Sequence, residues 1–170
     1  AIVLPHFVKD NTDRNRTSPF AFTGNKFEFR MLGSAASVAN PNIVLNTAVA
    51  EALDQFAKEL DGVAPEDMEH AVHELIKRAI KKHKRVIFNG NGYTDEWIEE
   101  AEKRGLYNLK STPDALPMWI AQKNIDLFTK HSIFTSEELH SRYEIWLENY
   151  SKTINIESNT MVEMVQKDLL

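Results

Sequence analysis

The stretch FAFTGNKFEFRMLGSAASVANPNIVLNTAVAEALDQFAKEL, Phe20 to Leu60, changes its hydrophobic period part-way along, and that change decides the fold. Side chains alternate across a strand, so Phe27, Phe29 and Met31 fall on one face and Lys26, Glu28 and Arg30 on the other. TSPFAF (Thr17–Phe22) and KFEFRML (Lys26–Leu32) flank Thr23-Gly24-Asn25, which predicts a β-hairpin turned around Gly24-Asn25. After GSAASVANP (Gly33–Pro41) the period becomes helical. Leu45, Ala48, Val49, Ala52, Leu53, Phe56, Ala57 and Leu60 form a continuous stripe, which predicts a helix ending at Gly62.

Downstream the chain stays helical. PEDMEHAVHELIKRAIKKHKR places Pro65 at the expected first helical position, with acids in the first turn and bases in the last, an order that complements the helix dipole. Thr94 is the expected cap of DEWIEEAEKR, which Gly105 ends. Thr112-Pro113 opens a helical region reaching about His131, with Pro117 expected to divide it. Thr135 and Glu138 form a capping box before a long helix. Its apolar positions run from Leu139 through Tyr143, Trp146 and Tyr150 to Leu169, with a break expected near Asn155. Upstream, Ile2–Val8 suggests an edge strand and KDNTDRN a loop. The expectation is α+β, helix-dominated: a hairpin followed by five or six helices.

The bulk numbers narrow the function classes. A chain of 170 residues with 42% hydrophobic and 26% charged residues can form a core of domain size. A net charge of −5 argues against a general nucleic-acid binder. Without cysteine there is no disulfide, thiolate metal site or cysteine nucleophile, which fits a reducing cytosol. No apolar run approaches the ~20 residues of a membrane span. The chain opens on Ala1 and closes on a helical pattern without a stop signal, so it reads as a piece of something longer.

The strand face is the chemical question. Successive same-face residues stand about 6.6 Å apart, so Glu28 lies between two cations, and Arg16 can reach that face across the hairpin. A carboxylate among cations keeps its charge and suits Mg²⁺, while Arg and Lys suit phosphate oxygens. Such a set would serve phosphoryl transfer. A solvated strand face with weak ion pairs is the plainer alternative from spacing alone.

NRT (Asn15–Thr17), KFEFR (Lys26–Arg30) and ANPN (Ala39–Asn42) together resemble the glutamine synthetase pattern, in which Ala-Asn-Pro opens a buried helix. DRNRTSPFAFTGNKFEFR, NGNGY, DALPMWIAQKNIDLF, HSRYEIWLENY and INIE resemble type III glutamine synthetases, the long-chain bacterial class, in their C-terminal portion. The resemblance implies that Glu28 is a ligand of the catalytic Mg²⁺ or Mn²⁺. It implies that Arg30 contacts glutamate and its acyl phosphate, and that Arg16 contacts the transferring phosphate with Asn15 supporting its loop. Lys26 stands where type I enzymes usually have Arg, at the nucleotide, and Ala21 stands where they have a further Arg. Lys keeps the charge without the bidentate fork, and Arg14 is a candidate to supply the charge missing at Ala21.

Further implications follow from the resemblance. The hairpin belongs to the larger catalytic sheet, residues 1–62 end the catalytic domain, and 63–170 form a helical C-terminal extension. The parent protein is a cytoplasmic ATP-dependent ligase joining glutamate and ammonia, a homo-oligomer of stacked hexameric rings, with no nucleic-acid or membrane partner. The piece alone should not turn over. The alternatives are a non-catalytic helical oligomerisation module, or a related carboxylate–amine ligase with another amine.

Other features have plainer readings. NGNGY (Asn89–Tyr93) has glycines suited to an anion loop but lacks a following Lys-Ser/Thr, so a connecting turn is expected. KRAIKKHKR (Lys77–Arg85) suggests an acidic or nucleic-acid partner, against a solvated last turn. His70 and His73 are read as surface or interface histidines, and His131 and His140 receive no role. Trp119, Phe128, Tyr143, Trp146 and Tyr150 are expected in the core.

Overall fold

A computed structural model describes residues 20–22, 26–29, 33, 36–88, 92 and 94–169. Strand β1 (Phe20–Phe22) pairs antiparallel with β2 (Phe27–Phe29), with Phe20 opposite Phe29, Ala21 opposite Glu28 and Phe22 opposite Phe27. The turn expected at Gly24-Asn25 lies outside the described residues, as does the edge strand expected at Ile2–Val8. Every described element after the strands is helical. The α-helices are α1 (Ala39–Leu60), α2 (Met68–His83), α3 (Asp95–Lys103), α4 (Thr112–Ala115), α5 (Gln122–Lys130) and α6 (Ser136–Met164).

The core sits where α4, α5 and α6 meet. Pro117 breaks the helical run as its chemistry demands: the chain passes from α4 into a 3₁₀ stretch, Leu116–Ile120, and restarts as α5. That corner presents Trp119 to Trp146 edge-on at 4.8 Å between ring centroids, and to Phe128 at 5.3 Å. Phe134 closes the cluster 5.7 Å from Phe128. Beneath it Leu139 is fully buried, 0% exposed, and Phe128 is buried beside it. Tyr143 and Tyr150 are half-buried.

The caps follow local chemistry. Thr135 Oγ1 accepts from the Glu138 amide at 3.2 Å, and the Glu138 carboxylate accepts from the Thr135 amide at 2.8 Å. Gly105, at φ 71°, closes α3 with the Leu106 amide donating to the Ala101 carbonyl at 2.9 Å. Ser132 makes the same turn after α5 at φ 53°, with the Ile133 amide on the Phe128 carbonyl at 2.9 Å.

Three expectations need correction. The α1 stripe is not a buried face: Leu53 is 60% exposed, Val49 and Phe56 are also exposed, and the buried residue of the helix is Thr47. The physical reason is cover, since among the described residues α1 is packed chiefly by α2 and α5, which leave this face partly open. Pro65 does not start a helix. It occupies the second position of a turn whose Asp67 amide donates to the Ala64 carbonyl at 3.0 Å, a place its fixed φ suits, and α2 begins at Met68. No break occurs at Asn155, and α6 runs unbroken to Met164 before a π-helical end, Val165–Leu169. Asn155 is accommodated on an exposed face, and the Thr160 hydroxyl donates back to the Ile156 carbonyl at 2.8 Å.

Candidate functional site

The alternation on β2 places Lys26 and Glu28 on one face, with Lys26 Nζ 3.9 Å from Glu28 Oε1. Glu28 is half-buried, while Phe27 and Phe29, on the opposite face, are exposed. Arg16 and Arg30 lie outside the described residues, as do Arg14 and Asn15. The register adds one point the sequence did not state. Ala21 stands directly across from Glu28 in the strand register. The position at which type I enzymes carry another Arg is thus the cross-strand neighbour of the carboxylate.

Glu28 suits one place in a magnesium site, because Mg²⁺ takes one or two carboxylates and fills its octahedron with phosphate oxygens and water. Among the described residues no group of three His, Asp or Glu side chains gathers to complete a cage. One such carboxylate is chemically suited to a shared metal site, completed by groups beyond the described residues.

A second charged cluster joins elements far apart in sequence. Lys130 at the end of α5 reaches α1, with Nζ 2.6 Å from Glu51 Oε2 and 2.9 Å from Asp54 Oδ2. His131 Nε2 lies 2.7 Å from the same Glu51 oxygen, and Lys58 holds Asp54 at 2.8 Å. The Lys130 ammonium, with help from Gln55 and His131, holds the Glu51 carboxyl down at about 2. Lys58 and then Lys130 hold Asp54 down at about 2 as well. The Lys130 pKa is correspondingly raised by Glu51 and Asp54. This latch was not anticipated, and His131 in particular had no assigned role. The available hint was Glu51 and Asp54, three apart on one helix face.

The remaining sequence features fall as follows. His70 and His73 are exposed, and His140 Nδ1 lies 2.8 Å from the Ser136 carbonyl oxygen one turn back. Most of NGNGY is outside the described residues. Just before it, Phe88 stacks on Trp97 at 4.1 Å, and Arg104 Nη1 donates to the Ile87 carbonyl at 2.8 Å, fastening α3 to the end of the basic run. No described helix is long and apolar enough to cross a membrane.

Residues 71–170, from α2 to the end of α6 and beyond, match the family model described as the glutamine synthetase C-terminal domain. The chain belongs to that family. It is 56% identical over 168 residues to a glutamine synthetase of Butyrivibrio fibrisolvens, covering 96% of this chain and 23% of the relative. It is 50% identical over 163 residues to the type-3 glutamine synthetase of Dictyostelium discoideum, covering 95% of this chain and 22% of the relative. A glutamine synthetase of Bacteroides fragilis (strain YCH46) is 38% identical over 163 residues, covering 95% of this chain and 22% of the relative. The chain thus spans less than a quarter of the length of these relatives. The glutamine synthetase family read from the motif string is the family matched.

Proposed function

We propose that this chain is part of an ATP-dependent glutamate–ammonia ligase and supplies one wall of its phosphoryl-transfer site. The observation that carries the reading is the likeness to proteins named glutamine synthetase along nearly the whole chain, the charged strand included. In this reading residues 1–62 end the catalytic domain, with β1 and β2 joining its larger sheet, and residues 63–170 form a helical extension. The parent protein is a cytoplasmic homo-oligomer of stacked hexameric rings, and this piece alone makes no glutamine.

The residues divide the work by chemistry. Glutamate's side-chain carboxylate takes the terminal phosphoryl group of ATP, and ammonia then displaces phosphate from the acyl carbon to leave glutamine. Arg16 and Lys26 neutralise nucleotide phosphate oxygens, where fixed cations stabilise the charge of the transferred group. Arg30 uses its planar fork on glutamate and on the acyl phosphate. Glu28, 3.9 Å from Lys26, supplies the hard oxygen ligand for Mg²⁺ or Mn²⁺. The metal, when bound, would supply Lewis-acid neutralisation of phosphate charge.

The test is glutamine formation by the longer protein that contains this chain. Glu28→Ala should abolish it, because the substitution removes a metal ligand. Near-normal turnover by the variant would sink the assignment.

A further inference from the structure

The basic run KRAIKKHKR lies outside everything assigned above, and its setting is not that of a plain solvated turn. α1 and α2 leave a groove of about 480 Å³ between them, within the range of small-molecule pockets. Its floor is apolar: Leu75 is buried and Phe56 is 37% exposed, so one aromatic face is available there. Its rim is cationic. Arg78 bridges across the helices to Glu59, while Lys81 and Lys82 carry no ion pair among the described residues, and His83 completes the edge.

A helix dipole accounts for bases in the last turn of α2. It does not account for their meeting an open aromatic floor contributed by a different helix. The chain's net charge is −5, yet Lys77–Arg85 contains no acid, so positive potential is concentrated on this groove. The combination of a flat apolar surface with unpaired cations at one side fits a ligand with a planar ring at one end and several negative charges at the other. Ring-on-aromatic stacking and phosphate–lysine contacts are the interactions such a ligand uses.

We propose that the α1–α2 groove binds a nucleoside polyphosphate, its ring system against Phe56 and its phosphates against Lys81, Lys82 and His83. The site is separate from the strand carrying Glu28, and it stands or falls independently of the ligase reading.

The experiment is calorimetric titration of the 170-residue chain with ATP in metal-free buffer, where a site that needs a divalent ion at Glu28 is silent. Adenosine and inorganic tripolyphosphate are titrated in parallel. The expected result is saturable binding of one ATP per chain, at least tenfold tighter than either part alone. Lys81→Gln with Lys82→Gln should weaken it at least tenfold with the melting temperature unchanged, and Phe56→Leu should reduce the preference for ATP over tripolyphosphate. Absence of saturable binding would overturn the proposal. So would tripolyphosphate binding as well as ATP, which would mark a bare cationic patch. Binding kept at full strength in the lysine variant would place the ligand elsewhere on the chain, again overturning it. A DNA duplex competing more effectively than ATP would make the groove a nucleic-acid surface instead.

Discussion

Helix α5 is fastened at both sides by opposite means. Toward α6 it is held by aromatic packing: Phe128 is buried against Trp119 and Phe134, with Leu139 fully enclosed below. Toward α1 it is held by the Lys130 and His131 contacts to Glu51 and Asp54, whose side chains remain partly open to water. The first joint removes apolar surface from solvent and is indifferent to pH. The second gains from charges that water and salt screen, and it depends on ionisation. One short helix therefore has a joint that sets stability and a joint that sets register.

That contrast can be broken most sharply at Phe128. Phe128→Ala should destabilise the chain by about 3–5 kcal/mol, measured by denaturant unfolding, since it combines lost transfer energy with a cavity. A cost under about 1 kcal/mol would mean the aromatic joint is not the main one. A smaller effect is expected where the two joints meet. Ser132 holds a left-handed backbone at φ 53° with the geometry of a helix-ending glycine, so Ser132→Gly should stabilise by about 1 kcal/mol despite removing a side chain. A loss of stability there would show that the turn is held by more than its backbone.

The smallest effect should come from the ionic joint, and its signature is pH rather than size. Glu51 and Asp54 sit at about 2, against ordinary values of 4.5 and 3.8. Their folded-state values are lowered, so their contribution is fully present above the ordinary carboxylate range and is lost as pH falls from there toward about 2. Thermal melts across that window should show the loss, and it should flatten in Glu51→Gln with Asp54→Asn. An unchanged slope in the variant would assign the acid sensitivity elsewhere.

The same contrast explains what was legible in the sequence. Local chemistry was readable: the Pro117 break, the Thr135–Glu138 box and the Gly105 stop each follow from a few adjacent residues. The aromatic cluster was readable because large apolar side chains at helical spacing need a common interior. Cover was not readable. Val49, Leu53 and Phe56 have the period of a core face, yet period says only which residues share a side, not what lies against them. The latch was equally hidden, because Glu51 and His131 are eighty positions apart and a charged residue at a helix end has many possible partners. Of the candidate site, the alternation of Lys26 and Glu28 was visible in the spacing. The position of Ala21 across from Glu28 depended on the strand register, which spacing alone does not set.

The unbroken run of α6 has a mechanical consequence. Its residues from Ser151 to Asp168 are all exposed, so past the aromatic corner the helix is a bare rod roughly 27 Å long at 1.5 Å per residue. Such a rod is a lever with its fulcrum at Trp146. A tilt of about 10° there would carry the far end through roughly 5 Å. A side-chain adjustment too small to notice at the hub would be read at the tip as a displacement wider than an atom.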